Sequence, residues 1–238
     1  MFKIQNPKSK IQNPKSKIQN PKSQIPNPLH FVLIKRNNFN TFTGTTSNIY
    51  MRLLEILAND YGTSPEVIDF MGKNLTVSHY AKDTLLLSKG QICDCVYFLE
   101  TGLARGFHYE NGLDNTSWFV QNEDFIYSPH SFLRQKPTLE SIQLLEDSKL
   151  VAIPLPVLNY MYTAFPEANQ VVRLITEKYL LLYDQRAYAL RHQTNEQLLR
   201  GFMKEYPIIF DKAPKRHIAS YLGMNAGTLS RLLSAKQK

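Results

Sequence analysis

The chain contains 238 residues, enough for two ordinary domains that each bury a core without disulfides or structural metals. Its two cysteines, Cys93 and Cys95, are too few and too close together for a disulfide framework, and no apolar run approaches the ~20 residues of a membrane helix. Small disulfide-rich and membrane-spanning classes are therefore excluded, and a cytoplasmic protein with no membrane partner is predicted.

The net charge of +8 is distributed very unevenly along the chain. Residues 1–36 carry eight Lys or Arg and no Asp or Glu, residues 37–199 carry 12 against 18, and residues 200–238 carry eight against two. An acidic body joined to a basic C-terminal segment predicts that this segment contacts a polyanion such as nucleic acid. A solvated charged face would give the same count, so charge alone does not decide between the two.

The N-terminal segment begins with three copies of Lys-Ile-Gln-Asn-Pro-Lys-Ser over residues 3–23. A proline in every copy removes a helix hydrogen bond, which argues against a coiled coil despite the seven-residue period. We therefore predict a disordered, low-complexity basic tail over residues 1–46. Met51, which opens an apolar-periodic stretch, is a candidate start of the functional protein.

Segment 47–165 is predicted to form a β-rich domain whose N-terminal part contains helices at about 49–59 and 65–72. Ser64 and Pro65 are typical of the start of the second helix. Further along, Gly90, Gly102 and Gly112 mark tight turns. Short β-branched or aromatic runs between such turns indicate strands near residues 75–77, 84–87, 96–99, 103–109, 117–120 and 150–153. The spacing is typical of an antiparallel β-roll or jelly roll in an α+β protein.

Segment 166–193 reads as one long helix because it contains neither Pro nor Gly after Pro166. Apolar residues recur along it at three- and four-residue spacing, at Val172, Ile175, Tyr179 and Leu182. This seam is suited to pairing with a second copy of the chain, so we predict a dimerisation helix. Packing of the same seam against the chain's own barrel is the alternative.

Segment 194–238 is predicted to contain a helix-turn-helix. Thr194 and Gln197 resemble a capping box at its start. Within residues 215–233, Gly223 can end the first helix and Asn225 can cap the second. The inner faces of the two helices would be formed by Ile218, Ala219, Leu222, Leu229 and Leu232. Two short crossing helices of this kind are typical of DNA-binding proteins, although they also occur as ordinary structural hairpins.

Polar residues on this motif supply the groups that DNA contacts need. Lys215 and Arg216 suit the phosphate backbone, whereas Arg231 can form a bidentate contact to guanine. The predicted DNA-binding residues are Lys215, Arg216, Asn225, Ala226, Thr228, Ser230 and Arg231.

The chain resembles the Crp/Fnr family of transcription regulators over about residues 50–235. The resemblance rests on Lys89-Gly90, on the run 96–102, on the strand pair around Asn111-Gly112, on 140–143, and above all on 218–223 with 228–231. It implies a cyclic-nucleotide-binding-like β-roll, a dimerising helix and a winged-helix-type domain that binds two-fold symmetric DNA. The expected partners are double-stranded DNA and a second copy of the chain, with RNA polymerase as a further candidate.

Two departures from the family pattern limit what this resemblance implies. Nucleotide-binding members carry Gly-Glu and then Arg-Ser or Arg-Thr, where this chain has Ser128-Pro129 and Thr138-Leu139. We therefore expect no cyclic AMP binding, while Arg134 and Lys136 are candidates for holding another anion unless they are simply solvated. Gly227 stands where the family often carries Glu, so the family's operator sequence does not transfer.

The predicted function is a non-enzymatic, sequence-specific transcription regulator with no cofactor, which responds to an unidentified effector. A cupin-like metal-binding or enzymatic barrel is the first alternative, but His108 and His130 are isolated and no His-x-His pair exists, so no metal site is predicted. An iron–sulfur cluster would need four thiolates and the chain has two cysteines, so iron–sulfur sensing is not expected. Haem sensing is not excluded. A regulator that has lost DNA binding and acts as an interaction protein is the second alternative.

Overall fold

The structure is a computed structural model that describes residues 51–110 and 112–235; the tail predicted for residues 1–46 lies outside them. The helices are α1 (Arg52–Tyr61), α2 (Pro65–Asn74), α3 (Pro129–Arg134), α4 (Leu155–Ala164), α5 (Pro166–His192), α6 (Asn195–Glu205), α7 (Pro207–Lys212), α8 (Lys215–Tyr221) and α9 (Ala226–Ala235). The strands are β1 (Thr76–Tyr80), β2 (Leu85–Leu87), β3 (Cys95–Thr101), β4 (Leu103–Glu110), β5 (Leu113–Gln121), β6 (Asp124–Ile126), β7 (Ser141–Leu144) and β8 (Ser148–Pro154).

The strands form two four-stranded antiparallel sheets. One has the order β1-β8-β3-β6 and the other β2-β7-β4-β5. Buried side chains from both sheets, among them Leu99, Ile126, Ile142 and Leu150, join in one apolar cluster. The predicted α+β fold class, with an antiparallel β-roll followed by a long helix and a helical C-terminal region, is confirmed.

Strand alternation gives the first sheet a second apolar face. Leu99 and Leu150 point into the cluster between the sheets, whereas their neighbours Phe98 and Val151 belong to a different cluster. Since successive side chains of a strand point to opposite faces, the outer face of this sheet is also apolar. Helices α1, α2, α4 and α5 supply the residues that pack on it.

The C-terminal helices form a third core that includes residues of the β-roll. Leu199, Phe202 and Leu229 are buried there together with Leu103 and Leu145, which belong to the roll. The helical region is therefore packed directly against the second sheet.

Local sequence signals account for several element boundaries. The side chain of Ser64 accepts a hydrogen bond from the Val67 amide with Pro65 in the first turn, and Thr194 and Gln197 form the expected reciprocal capping box. Gly223, at φ +69°, ends the first helix of the predicted helix-turn-helix in the left-handed conformation that glycine favours. These predictions are confirmed.

Part of the seam predicted on α5 packs against the chain's own body. Val172, Ile175, Tyr179 and Leu182 are all half-buried, and Ile175 packs on the cluster at the outer face of the first sheet. The Tyr179 hydroxyl bonds to the carboxylate of Asp124 and accepts a hydrogen bond from the Phe125 amide at 3.1 Å. Ile175 and Tyr179 thus make intrachain contacts, while the dimer interface predicted for the seam stays a prediction.

Candidate functional site

Helices α8 and α9 form the predicted pair of crossing helices. Ile218, Ala219, Leu222 and Leu229 are buried between them and α6 and α7. The Thr228 amide donates to the Asn225 side-chain oxygen at 2.8 Å, so Asn225 caps α9 as expected. The corner between the two helices is filled by buried Met224.

The predicted DNA-binding residues lie on the open side of this pair. Six of the seven are exposed and Thr228 is half-buried, so the N-terminal half of α9 is available to a ligand. The exposed residues are Lys215, Arg216, Asn225, Ala226, Ser230 and Arg231. Arg231 is held only by long contacts, 3.4 Å from Nε to the Gly227 carbonyl and 3.3 Å from Nη2 to the Thr228 hydroxyl. Its guanidinium can therefore swing outward at little cost.

Lys215 is less free than its exposure suggests. Its ammonium donates to the Phe210 carbonyl and lies 3.6 Å from the centroid of the Phe210 ring. Partial burial also lowers its pKa. A phosphate contact from Lys215 would have to replace these intrachain interactions, whereas Arg216 beside it has no hydrogen bond or ion pair among the described residues.

The opposite face of α8 is fixed to the β-roll and to α5. The Thr116 amide of β5 donates to the Ser220 hydroxyl at 3.0 Å, and the rings of Phe119 and Tyr221 meet edge to face at 5.3 Å. From α5, the Arg186 guanidinium covers the Tyr221 ring at 3.6 Å and donates to the Tyr221 carbonyl at 2.7 Å. The first helix of the pair is therefore sensitive to the position of both the roll and the long helix.

A buried arginine lies at the centre of this contact. Arg105 of β4 is 3% exposed and makes a two-pronged ion pair with Asp114, at 2.5 and 2.7 Å. It also donates to the Gln143 side-chain oxygen at 2.9 and 3.0 Å and to the Thr116 hydroxyl at 3.1 Å. Its Nη1 lies 2.9 Å from Nδ1 of His217 on α8. All of its donors are thus engaged across the junction of sheet and helix.

The charges of this cluster control protonation of its neighbours. Burial and the adjacent Arg105 cation lower the pKa of His217 to about 4, against the weaker opposing effect of Asp114. Burial alone would raise the pKa of Asp114, but its hydrogen bond and charge interaction with Arg105 leave it below its usual value. His217 is therefore neutral at pH 7, and its Nδ1 must accept a hydrogen bond from the guanidinium, which can only donate.

The loop expected to hold an effector is closed by its own hydrogen bonds. Ser128 and Thr138, which stand where nucleotide-binding members carry the Gly-Glu and Arg-Ser/Thr groups, are buried and joined at 3.0 Å between their hydroxyls. Arg134 and Lys136 are exposed. The indole nitrogen of Trp118 donates to the Glu140 carboxylate at 3.0 Å. The Trp118 ring packs so closely over Gly106 that a Cβ at residue 106 would lie 2.1 Å from the ring.

Metal-type clusters and membrane-spanning helices were both sought among the described residues. In that part of the chain, no three His, Cys, Asp or Glu side chains are grouped as a metal ion would require. None of the helices within it is both long enough and apolar enough to cross a membrane.

One face of α5 carries exposed apolar residues. Leu174, Leu181 and Tyr188 recur every seven residues and are 39%, 60% and 61% exposed. We call these three residues the outer stripe of α5. Sevenfold spacing of apolar residues is the pattern of paired helices.

Comparison with known proteins identifies the β-rich segment. The family profile for the cyclic nucleotide-binding domain matches residues 77–164. This segment is therefore similar to cyclic nucleotide-binding domains. A comparison with curated protein sequences found no match.

Solved structures extend the similarity beyond the cyclic nucleotide-binding domain. FixK2 from Bradyrhizobium japonicum superposes with a TM-score of 0.59 at 18% identity, covering 68% of this chain and 83% of FixK2. CLP from Xanthomonas campestris, described as a c-di-GMP responsive global regulator, gives 0.59 at 14% identity, with 73% and 92% covered. A crp/fnr family transcriptional regulator from Eubacterium rectale gives 0.57 at 17% identity, with 74% and 85% covered. The resemblance to Crp/Fnr regulators is thus confirmed at the level of the fold.

Several residues of the junction were not singled out from the sequence. The signal for Arg105 was present, since it is a lone charge in the apolar strand run 103–107. The position of Asp114 could also have been inferred from the turn at Gly112. Tyr109 pairs with Asp114, and this pairing places the carboxylate on the same strand face as Arg105. His217 carried no such signal, since only tertiary packing brings α8 to this hairpin.

Proposed function

We propose that the chain is a homodimeric, sequence-specific DNA-binding transcription regulator of the Crp/Fnr type, with an effector other than cyclic AMP. The observation that carries this proposal is the exposure of the N-terminal half of α9, which Asn225 caps. This helix also carries Ser230 and Arg231 and belongs to a C-terminal segment rich in Lys and Arg. In this assignment residues 47–165 are the sensory domain, 166–193 the dimerisation helix and 194–238 the DNA-binding domain. RNA polymerase is a candidate further partner, and no enzymatic activity is assigned.

DNA recognition in this proposal divides between backbone and base contacts. Arg216 and, after release from Phe210, Lys215 would contact phosphates, because both lie at the start of α8. Arg231, Ser230 and Thr228 would face base edges, because the N-terminal half of a recognition helix enters the major groove.

Dimerisation would use the outer stripe of α5. Ile175 and Tyr179 of the predicted seam contact the roll, whereas Leu174 and Leu181 are exposed and open to a partner. Burying such exposed leucines between two copies is favourable by ~25 cal/mol for each Å² removed from water. A two-fold axis along the paired helices would place two copies of α9 on the same side of the dimer.

Signal transmission would pass through the fixed face of α8. Movement of the β4–β5 hairpin or of α5 changes the positions of Arg105 and Arg186, which hold His217 and Tyr221. An effector that favours one position of these elements would therefore shift the orientation of α9.

Selection of bound fragments from the source genome by the purified chain tests the proposal. The expected product is an inverted repeat whose half-sites lie about 34 Å apart, since two symmetric helices enter successive major grooves. An Arg231→Ala, Thr228→Ala double variant is the control and should enrich no common site. If wild type also enriches none, or enriches a site without two-fold symmetry, the proposal is contradicted.

A further inference from the structure

A cavity of about 130 Å³ lies between the helices and the outer face of the first sheet. It shares Phe132 and Leu133 of α3 with the loop that carries Ser128 and Thr138, but it lies apart from the contact between α8 and the hairpin. The cavity is bounded by α1, α2, strands β3, β6 and β8, and helices α3, α4 and α5. Six of its lining residues are Leu57, Val67, Met71, Val96, Ile153 and Val171.

The lining is mainly apolar, with side-chain hydroxyls only at Thr63, Tyr127, Tyr162 and Thr176, so water has few partners inside. An apolar cavity of about 150 Å³ stays dry and accepts a molecule of the size of benzene. The present cavity is close to that volume. Exposed Leu133 and Thr176 also line it, which gives a small molecule a way in from solvent.

One polar group in the lining is left without a partner. Thr63, in the connection between α1 and α2, is 8% exposed, and its hydroxyl forms no hydrogen bond within the described residues. Its backbone amide is used, donating to the Leu57 carbonyl at 3.1 Å. A buried hydroxyl without a partner is destabilising, and native proteins seldom retain one unless something else satisfies it.

We propose that this cavity binds a small, uncharged, mainly apolar molecule with one hydroxyl or carbonyl group, which bonds to the Thr63 hydroxyl. Phenols and short aliphatic alcohols have this chemistry. A charged ligand does not fit, because no basic or acidic side chain lines the cavity. The size limit excludes nucleotides, which are much larger than benzene.

The position of the cavity also suggests a consequence for regulation. Its wall includes Phe132 and Leu133 of α3 and Val171 and Ile175 of α5. A ligand would therefore touch both the effector loop and the helix that carries the outer stripe. This consequence rests on the proposed function, whereas binding itself does not.

Phenol and toluene form a matched pair of probes, since they differ in the hydroxyl. Calorimetry on the full chain without DNA should give a phenol dissociation constant of about 1 mM or tighter and toluene ~5-fold weaker, as expected for one net hydrogen bond. Thr63→Val keeps the shape of the side chain and should abolish the preference for phenol. Val171→Phe should fill the cavity and prevent binding of both probes.

Methionine methyl resonances locate the binding site and remain informative if Val171→Phe does not fold. Phenol should shift the signals of Met71 and Met161, which line the cavity, and leave Met203 and Met224 in the C-terminal helices unchanged. Absence of binding at about 10 mM, shifts elsewhere, or an unchanged phenol preference in Thr63→Val would each overturn the proposal. Because no DNA is present, these outcomes are independent of DNA binding.

Discussion

Nη1 of Arg105 lies 2.9 Å from Nδ1 of His217, and this contact joins β4 to the first helix of the helix-turn-helix. The two residues are 112 positions apart in the chain. The guanidinium of Arg105 is a buried cation paired with Asp114. A neutral His217 can accept a hydrogen bond from it and completes this hydrogen-bond network. A protonated His217 would instead be a second cation beside the first. The contact between the β-roll and the C-terminal helices is therefore expected to depend on the protonation state of one imidazole.

We expect His217 to make folding less stable in mild acid. Its pKa is about 4 in the folded chain and near 6.5 when unfolded. Stability from this group is fully present above pH 6.5 and is lost as the pH falls toward 4, because only the unfolded chain takes up the proton. Between those limits wild type should lose about 1–3 kcal/mol more unfolding free energy than His217→Gln, which cannot titrate. Urea denaturation at several pH values measures this difference, and parallel pH curves for the two chains would disprove it.

We expect the outer stripe of α5, and not the seam against the roll, to control dimerisation. Leu181→Asp should give a folded monomer, because a carboxylate buried in an apolar interface costs about 3 kcal/mol or more. Leu113→Asp, at a residue 66% exposed on the β4–β5 hairpin, is the matched control and should remain dimeric. Ile175→Asp should instead destabilise the folded chain, since Ile175 packs on its core. Sedimentation with circular dichroism separates these outcomes; a dimeric Leu181→Asp would refute the assignment.

We expect no useful binding of cyclic AMP. The hydroxyls of Ser128 and Thr138 are paired with each other, and neither a carboxylate nor a guanidinium occupies their positions to meet ribose or phosphate. Calorimetry with cyclic AMP should show no heat of binding at micromolar concentrations. A dissociation constant in that range would mean that the loop opens and that other groups, such as Arg134 and Lys136, hold the phosphate.

The fold was largely predictable because its signals are local and repeated. Alternating strands, the glycines at 102 and 112, and the capped helices each depend on a few neighbouring residues. The side of α5 that meets the roll was not predictable, because apolar residues occur on more than one side of that helix, and the side chosen depends on tertiary neighbours such as Asp124. The unpaired hydroxyl of Thr63 is likewise visible only in the folded chain, where five helices bound the cavity that it lines.

The most direct test of the account is a titration of fluorescent duplexes, one with the selected inverted repeat and one scrambled, at several salt concentrations. Wild type should prefer the inverted repeat, and Arg231→Ala should lose about 1–3 kcal/mol on it while keeping most of its affinity for the scrambled duplex. Lys215→Ala is the control for a phosphate contact, which should weaken both duplexes alike and reduce the log–log salt slope by about 0.9 per contact. Equal affinity of wild type for the two duplexes would contradict sequence-specific recognition by α9.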